Sequence, residues 1–104
     1  MQDHIKYEIY IGLKDQDTYE EFLTAEHFSE ILTEQCKRDE IGFSMTRQLG
    51  GYTHKNGFVT ETSLRITLFG IEKDEIVRLG ETLKKIVNTD TIMITSEECA
   101  YGYV

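Results

Sequence analysis

The order in which two hydrophobic periodicities follow one another constrains the fold of this chain more than any other sequence feature. Segments in which every second residue is apolar predict half-buried strands, and segments with an apolar residue every three or four positions predict amphipathic helices. Six periodic segments are present, and the second and the fifth are helical: residues 4–13, 24–38, 43–49, 58–69, 74–87 and 91–96. The sequence therefore predicts the element order β-α-β-β-α-β.

The residues at the ends of the two helical segments support this assignment. Thr24 precedes the apolar stripe of the first helix and is a typical N-cap residue, with Glu26 near the positive end of the helix dipole. Gly80 lies within the apolar stripe of the second helix, where the missing side chain permits close packing on a sheet. Asn88 follows that helix and is a typical C-terminal cap.

Glycine-containing pairs mark the connection between the second and third strands. Gly50-Gly51 and Asn56-Gly57 bracket a polar stretch, and both pairs are typical of turns. We expect the residues between them to form the loop of a hairpin connection. Four residues of the third strand are expected to face the core: Thr62, Leu64, Ile66 and Leu68.

Two helices that alternate with strands in this order must both cover one face of a single sheet. Right-handed crossovers then give a four-stranded antiparallel sheet of spatial order 4-1-3-2, which is the α+β, ferredoxin-like split β-α-β arrangement. Residues 99–104 are also β-prone, which allows a short fifth C-terminal strand after a bend at Glu97-Glu98. With 104 residues and no linker, we expect one ferredoxin-like domain spanning residues 1–104.

The charge of the chain argues against several classes of partner. It contains 19 acidic and 11 basic residues, which give a formal net charge of −8. Such a surface repels phosphate backbones and anionic lipid head groups, so we expect neither nucleic acid nor membrane as a partner. No window reaches the roughly 20 apolar residues that a bilayer span needs, and the N-terminus has no signal-peptide pattern. We therefore expect a cytoplasmic protein in which Cys36 and Cys99 are free thiols.

The sheet face opposite the helices is predicted to be mixed in composition. It carries large residues of the kinds that anchor subunit interfaces, and we expect four of them to form such an interface: Tyr10, Arg65, Phe69 and Met93. A sheet face exposed to solvent is the alternative. On the same face, Glu8 and Glu61 could act as a carboxylate pair, but Lys6 and Arg65 are expected to neutralise them.

Two short segments are candidate ligand sites: Tyr52, His54 and Lys55 in the expected loop, and Glu97, Glu98 and Cys99 near the C-terminus. The first segment is flanked by glycines, which allow the backbone to approach a small ligand or an anion closely. The second combines two carboxylates with a thiol, and these ligand types can bind a transition metal between subunits. No catalytic triad, nucleophile elbow or phosphate-binding loop is recognisable, so the sequence identifies neither a catalytic residue nor a cofactor.

The element order and three local features make the chain resemble the superfamily of PII-like signalling proteins and the related divalent-cation-tolerance proteins. The features are the opening strand with Tyr7-Glu8-Ile9-Tyr10-Ile11-Gly12, the loop between Gly50 and Gly57, and the extended C-terminal strand. The resemblance covers nearly the whole chain as topology. It implies a compact homotrimer that binds small ligands in clefts between subunits, and it makes a divalent metal a candidate partner. Ferredoxin-like regulatory modules that bind amino acids share the element order but are dimers.

Three hypotheses for function are compatible with this topology, and oligomeric state discriminates among them. The leading one is a non-enzymatic oligomeric module of PII-like type that binds a small ligand or regulates a partner, with a trimer favoured over a dimer. The second is a small enzyme of the dimeric α+β barrel class. The third is an adaptor between other proteins. All three rest on topology, and topology alone does not identify an activity.

Overall fold

The computed structural model describes residues 2–21, 23–55 and 57–104, and for residues 2, 3 and 54 it describes the main chain. The predicted turn residue Asn56 therefore lies outside the described residues. The elements are β1 (Gln2–Gly12), α1 (Ala25–Asp39), β2 (Phe43–His54), β3 (Gly57–Phe69), α2 (Lys73–Val87) and β4 (Met93–Tyr101). The predicted order β-α-β-β-α-β is confirmed.

The four strands form one antiparallel sheet in the order β2-β3-β1-β4. This is the predicted order 4-1-3-2 read from the opposite edge, so the ferredoxin-like split β-α-β fold is confirmed. β1 is one of the two central strands. Its residue Ile9 pairs with Ile66 of β3 on one side and with Ile94 of β4 on the other.

Apolar side chains from the central strands and from both helices form the core on one face of the sheet. Leu64, Ile66 and Leu68 of β3 are fully buried as expected, whereas Thr62 is half-buried. Cys36 of α1 is also buried, and burial raises the pKa of its thiol. The buried residues are Tyr7, Ile9, Ile11, Leu13, Leu23, Ala25, Phe28, Leu32, Cys36, Leu64, Ile66, Leu68, Ile76, Leu79, Leu83 and Val87.

Both helices have the predicted end residues. Thr24 accepts a hydrogen bond at Oγ1 from the backbone N–H of His27, at 3.0 Å, as an N-cap does. Asn88 ends α2 in the left-handed conformation, with a φ of 61°, which Asn adopts more readily than most residues. A side-chain carbon at Gly80 would lie 2.9 Å from Cδ1 of Ile92, so this glycine allows α2 to pack closely. Within the described ranges, no helix is both long and apolar enough to cross a membrane.

The loop expected at residues 50–57 is wrong, because both strands continue through it. β2 and β3 remain paired as far as His54 and Gly57. The glycines at residues 50 and 51 do not form a turn. A side-chain carbon at Gly51 would lie 2.9 Å from the ring of Phe58, so the glycine makes room for a side chain of the neighbouring strand.

The short fifth strand is likewise replaced by a longer β4. Glu97 and Glu98 pair with consecutive residues of β1, so the chain does not bend there, and the pairing extends to Tyr101. The four-stranded sheet contains all the strands of the described residues. The physical reason is that β1 begins at Gln2 and therefore offers β4 hydrogen-bonding partners over its full length.

The distal part of the β2–β3 hairpin extends beyond the core as a two-stranded ribbon. Leu49 is 81% exposed and Phe58 is 72% exposed, although both side chains are apolar. The molecule is correspondingly elongated, with extents of 47 × 26 × 24 Å. β1 pairs with β3 only from Ser63 to Phe69, so burial in the hairpin is greatest where a third strand flanks it.

Leu64→Ala is expected to lower the free energy of unfolding by about 2–5 kcal/mol, because the side chain is fully buried and its loss leaves a cavity. Leu49→Ala makes the same chemical change on the exposed ribbon and is expected to change the free energy by less than about 0.5 kcal/mol. Denaturant titration followed by circular dichroism measures both. Equal losses in the two variants would contradict this boundary of the core.

Candidate functional site

A cleft of about 540 Å³ lies where β1 ends and the chain leaves the sheet. Three parts of the chain line it: the end of β1 with the loop that follows, facing side chains of the β2–β3 hairpin, and the segment between α2 and β4. Its charged and aromatic lining residues are Lys14, Asp15, Asp17, Tyr19, Tyr52, Glu61 and Asp90. We call it the β1-end cleft.

The loop after β1 is folded around the side chain of Asp15. Oδ1 of Asp15 accepts hydrogen bonds from the backbone N–H groups of Asp17, at 2.7 Å, and of Thr18, at 3.2 Å. The backbone N–H of Asp15 donates to the carbonyl of Glu20, and its carbonyl accepts from the N–H of Tyr19. Asp favours such side-chain-to-backbone turns, so the loop is compact and presents its side chains in defined positions.

Asn88 attaches this loop to the end of α2. Its Nδ2 donates to Oδ2 of Asp15 at 3.0 Å and to Oδ2 of Asp17 at 2.9 Å. The hydrogen bond from Asn88, followed by the one from the N–H of Asp17, lowers the pKa of Asp15 below its ordinary value of 3.8. Asp15 is therefore ionised at neutral pH.

Glu61 of β3 lies with its carboxylate against Gly12 at the end of β1. A side-chain carbon at residue 12 would overlap this carboxylate, so the absence of a side chain at Gly12 provides the space that the carboxylate occupies. Burial raises the pKa of Glu61 above its ordinary value of 4.5. A backbone hydrogen bond and the charge of Lys14 act in the opposite direction, and the charge of Glu21 adds to the increase. The carboxylate is thus partly desolvated, and Lys14 compensates for only part of this effect.

Tyr52 of β2 is close to both Glu61 and Tyr19. Burial of the phenol, and then the charges of Glu61 and Tyr19, raises the pKa of Tyr52 above its ordinary value of 10.0. Tyr52 is 39% exposed and Tyr19 is 47% exposed, so each ring keeps a surface that a bound group can contact. Two aromatic rings and a carboxylate therefore share this part of the cleft.

Negative charge dominates the β1-end cleft. Its lining contains four carboxylates, those of Asp15, Asp17, Glu61 and Asp90. Lys14 is the one cationic lining residue in the described part of the chain, and its Nζ donates to the carbonyl of Thr60 at 3.1 Å. A concave surface lined by charge of one sign attracts ligands of the opposite sign. The cleft is therefore suited to a cationic ligand and poorly suited to a chain of phosphate groups.

Glu8 is the centre of a polar network on the open face of the sheet. Its carboxylate accepts hydrogen bonds from Oγ1 of Thr67, at 3.0 Å, and from the hydroxyl of Tyr10, at 3.4 Å. It also forms an ion pair with Nε of Arg65 at 3.4 Å. The expected neutralisation of Glu8 is confirmed. The same expectation for Glu61 was wrong, because its carboxylate lies against Gly12 and the cationic side chain that acts on it is Lys14, not Lys6 or Arg65.

The three residues predicted to form a ligand-binding loop do not form a loop. Tyr52 lies within β2 and lines the β1-end cleft. Lys55 is exposed in the turn after β2, and the side chain of His54 lies outside the described residues. A ligand-binding role for His54 and Lys55 stays a prediction.

The predicted metal ligands are distributed over both faces of β4. Glu97 and Cys99 share the open face, whereas Glu98 points to the opposite face, because side chains alternate along a strand. Glu97 forms an ion pair with Lys6 at 3.3 Å, and its hydrogen bond and charge raise the pKa of Lys6. Among the residues that the structure describes, no group of three or more His, Cys, Asp or Glu side chains could hold a metal ion. A metal bound between subunits stays a prediction.

The four residues predicted to form an interface lie on the open face. Tyr10 pairs with Arg65 of β3 on one side and with Met93 of β4 on the other, so these three form a row across the sheet. The ring of Phe69 contacts the ring of Tyr101 edge-on, with centroids 5.2 Å apart. Met93 is 54% exposed, and its apolar surface is available to a partner. The interface itself stays a prediction.

Sequence patterns missed most of the cleft, because its four carboxylates come from three segments that are far apart along the chain. The available signal was Gly12, a glycine that ends a buried strand and precedes an acidic loop. Antiparallel pairing of β1 with β3 then brings Glu61 against it. Recognising this site required the register of the sheet.

Solved structures with the same fold include enzymes and regulatory proteins. No protein-family model matches the chain, and no curated protein matches it. The chain is similar to a phage SAM lyase in its apo state, with 23% identity and a TM-score of 0.73 over 92% of this chain and 81% of that chain. The complex of a phage SAM lyase with S-methyl-5′-thioadenosine is similar at 20% identity and a TM-score of 0.66, covering 91% and 81% of the two chains.

The chain is also similar to two nucleotide-bound PII-like proteins. Its similarity to the ATP complex of GlnK from B. subtilis has 13% identity and a TM-score of 0.60, over 93% of this chain and 82% of that chain. CPII is a nitrogen regulatory PII-like protein from Thiomonas intermedia K12, bound to ADP, AMP and bicarbonate. It has 14% identity and a TM-score of 0.55, over 97% of both chains. The resemblance to PII-like proteins is thus confirmed at the level of the fold.

Glu61→Gln is expected to raise the melting temperature at neutral pH but not at acidic pH. Because folding raises the pKa of Glu61 above 4.5, ionisation of its carboxylate destabilises the folded state. This contribution makes wild-type stability fall as the pH rises from about 4.5 through the raised pKa. Glutamine does not ionise, so the advantage of the variant should grow over this range and then level off.

Thermal unfolding by circular dichroism from about pH 4 to pH 8 measures this difference. Glu98→Gln is the matched control, because it removes the same charge from an exposed position of β4. An equal gain for both variants at every pH would contradict burial of Glu61 as the cause.

Proposed function

We propose that the β1-end cleft binds S-adenosylmethionine, a cationic adenosyl sulfonium, and that the protein is a SAM lyase that releases S-methyl-5′-thioadenosine. The observation that carries the proposal is the charge of the cleft, in which four carboxylates face one lysine. The fold likeness to a phage SAM lyase, of which one structure contains S-methyl-5′-thioadenosine, supports it.

The charge of S-adenosylmethionine matches that of the cleft. The ligand has a permanent positive charge on sulfur and an ammonium group, against one carboxylate. Asp15 is ionised, with its pKa lowered by the hydrogen bond from Asn88, and Glu61 is partly desolvated where it lies against Gly12, so an added cation interacts favourably with both carboxylates. A nucleoside triphosphate would instead bring several negative charges next to them, which is unfavourable.

Tyr19 and Tyr52 offer surfaces for the adenosyl part of the ligand. A base stacked on an aromatic side chain contributes about 1–3 kcal/mol of binding free energy. A sulfonium, like a quaternary ammonium, is attracted to the face of an aromatic ring. Because Tyr52 is close to Glu61, a ring and a carboxylate can contact one ligand of this size together.

Cleavage of a sulfonium C–S bond requires little proton transfer from the protein. The electron pair of the broken C–S bond returns to sulfur and cancels its positive charge, so the neutral thioether leaves without being protonated. The ligand's own carboxylate forms a C–O bond to the carbon that the thioether leaves, so the second product is a lactone and no other reactant is needed. Catalysis then depends on orientation of the ligand and on the charges around the reacting atoms. We assign Glu61 to holding the sulfonium of the ligand and Tyr52 to orienting the adenosyl part.

A non-enzymatic regulatory module that binds a nucleotide is the second candidate. The fold likeness to GlnK bound to ATP and to CPII bound to ADP and AMP favours it. This alternative predicts an anionic ligand that is released unchanged. The two candidates therefore differ both in the charge of the ligand and in turnover.

Isothermal titration calorimetry with S-adenosylmethionine, S-methyl-5′-thioadenosine and ATP distinguishes the two candidates. We expect S-adenosylmethionine to bind, the neutral thioether to bind more weakly, and ATP not to bind measurably. The affinity for S-adenosylmethionine should fall with added salt, because salt screens the attraction. Chromatography of a reaction mixture should detect S-methyl-5′-thioadenosine. Binding of ATP without release of the thioether would contradict the proposal and favour the regulatory module.

Gly12→Ala tests whether the position of the Glu61 carboxylate against Gly12 contributes to binding. The added carbon overlaps the flexible end of the Glu61 side chain, so we expect the protein to fold while the carboxylate moves. The affinity for S-adenosylmethionine should fall by roughly tenfold, which corresponds to about 1.4 kcal/mol. Gly42→Ala is the matched control, because nothing lies within 4 Å of an added carbon there. Equal affinities of the two variants would show that the position of Glu61 does not affect binding.

We also propose that the protein assembles through its open sheet face, as a homotrimer in preference to a homodimer. Large side chains on this face are uncovered in the protomer: Met93 is 54% exposed and Phe69 is 39% exposed. Tyr10, in the same row as Met93, adds an aromatic anchor of the type that is enriched at interfaces. The Glu8–Arg65 network would supply polar contacts at the centre of the interface.

The double variant Tyr10→Glu, Phe69→Glu is expected to be monomeric with unchanged helical content, because it adds two charges to the proposed interface. Val77→Glu is the control, since it adds a charge at an exposed apolar position of α2, on the opposite side of the sheet. Size-exclusion chromatography with light scattering measures the mass, and circular dichroism measures the helical content. A monomeric wild type, or an unchanged mass in the double variant, would contradict assembly through this face.

A further inference from the structure

Asn88 uses its whole side chain to hold the loop that carries Asp15 and Asp17. Its Nδ2 donates to Oδ2 of Asp15 at 3.0 Å and to Oδ2 of Asp17 at 2.9 Å. Its Oδ1 accepts from Nε2 of Gln16 at 3.5 Å, and its backbone carbonyl accepts from the N–H of Gln16 at 2.9 Å. One residue at the end of α2 thus contacts three consecutive residues of the cleft wall.

This arrangement brings two carboxylates to the same neutral amide group. The amide supplies one hydrogen to each carboxylate, but it does not cancel their charges. Backbone N–H groups of Asp17 and Thr18 donate to the other oxygen of Asp15 and offset part of the repulsion. The pair is therefore held in place before any ligand binds, and it can accept hydrogen bonds from a cationic group at little additional cost in ordering.

We infer that Asn88 is a positioning residue of the β1-end cleft, which presets Asp15 and Asp17 as the acceptor pair for the ammonium group of S-adenosylmethionine. This inference rests on the proposed function and adds a basis for discrimination between substrate and product. S-methyl-5′-thioadenosine lacks both the sulfonium charge and the ammonium group. The acceptor pair therefore favours the substrate and does not retain the thioether product.

The left-handed backbone of Asn88 makes a clean test available. Glycine adopts this conformation without strain, so Asn88→Gly removes the side-chain amide but keeps the helix cap and the carbonyl that accepts from Gln16. Asn88→Asp keeps the shape of the side chain but replaces the amide donor with a carboxylate, which places a third carboxylate beside Asp15 and Asp17. The matched control is Gln35→Ala, which removes an amide-to-carboxylate hydrogen bond of 2.9 Å to Asp39, on α1.

Calorimetry with S-adenosylmethionine and S-methyl-5′-thioadenosine as probes measures the effect. In Asn88→Gly, we expect the Kd for S-adenosylmethionine to rise by about tenfold, because two hydrogen bonds that orient the acceptor pair are lost. The Kd for S-methyl-5′-thioadenosine should change by less than about twofold. Asn88→Asp should raise the Kd for S-adenosylmethionine at least as much, and Gln35→Ala should change the Kd of neither ligand.

If the role of Asn88 were purely structural, Asn88→Gly would reduce the affinity for both ligands equally, since a disordered loop also affects contacts with the adenosyl part. Equal losses for the two ligands, or no loss for S-adenosylmethionine, would overturn this inference and leave the proposed function standing. A wild-type protein that binds no S-adenosylmethionine would overturn both. Carbon-detected NMR of the free protein adds a ligand-independent readout. The pKa of Asp15 should rise towards 3.8 in Asn88→Gly, and an unchanged pKa would overturn the role given to the amide.

Discussion

The antiparallel register between β1 and β3 is the constraint on which both the core and the cleft depend. It pairs Ile9 with Ile66 in the core and Gly12 with Ser63 at the end of the strand. A shift of one residue would turn Ile9 towards the open face and Glu8 into the core. Burial of this charge among apolar side chains would be strongly unfavourable. The same register sets Glu61 against Gly12. The apolar packing that stabilises the sheet therefore also determines where the carboxylate of the cleft lies.

The sheet separates two kinds of chemistry. One face is packed against the helices with apolar side chains, and no polar or charged side chain in the described residues is buried there. On the other face, the charge of Glu8 is compensated by side chains of the same sheet face: Arg65 forms an ion pair with it, and Thr67 and Tyr10 donate hydrogen bonds to it. This network explains how a charged residue of a central strand can be well shielded without a helix above it. The β1-end cleft differs in this respect, because its lining has four carboxylates and one lysine.

The sequence predicted the fold well because periodicity and caps are local properties. The helix predicted at residues 24–38 differs from α1 by one residue at each end, the helix predicted at residues 74–87 differs from α2 by one residue at its start, and Thr24 and Asn88 are the caps. The glycines after β2 were misread, since a glycine that makes room for Phe58 looks like a turn glycine in the sequence. The cleft could not be predicted in the same way, because its residues are brought together by strand pairing and by a hydrogen bond from Asn88.

The unfavourable placement of Glu61 connects stability with ligand choice. A carboxylate whose pKa is raised by burial lowers the stability of the folded state at neutral pH, and Lys14 offsets only part of this effect. A cation that binds beside Glu61 would stabilise the ionised carboxylate and reduce this loss of stability. Its binding would therefore also increase the free energy of unfolding. A nucleotide phosphate would increase the same penalty. Fold and ligand are therefore separable properties: in this chain the negative charge of the cleft comes from the residues around Gly12 and the loop that follows it, and the order of the strands does not determine it.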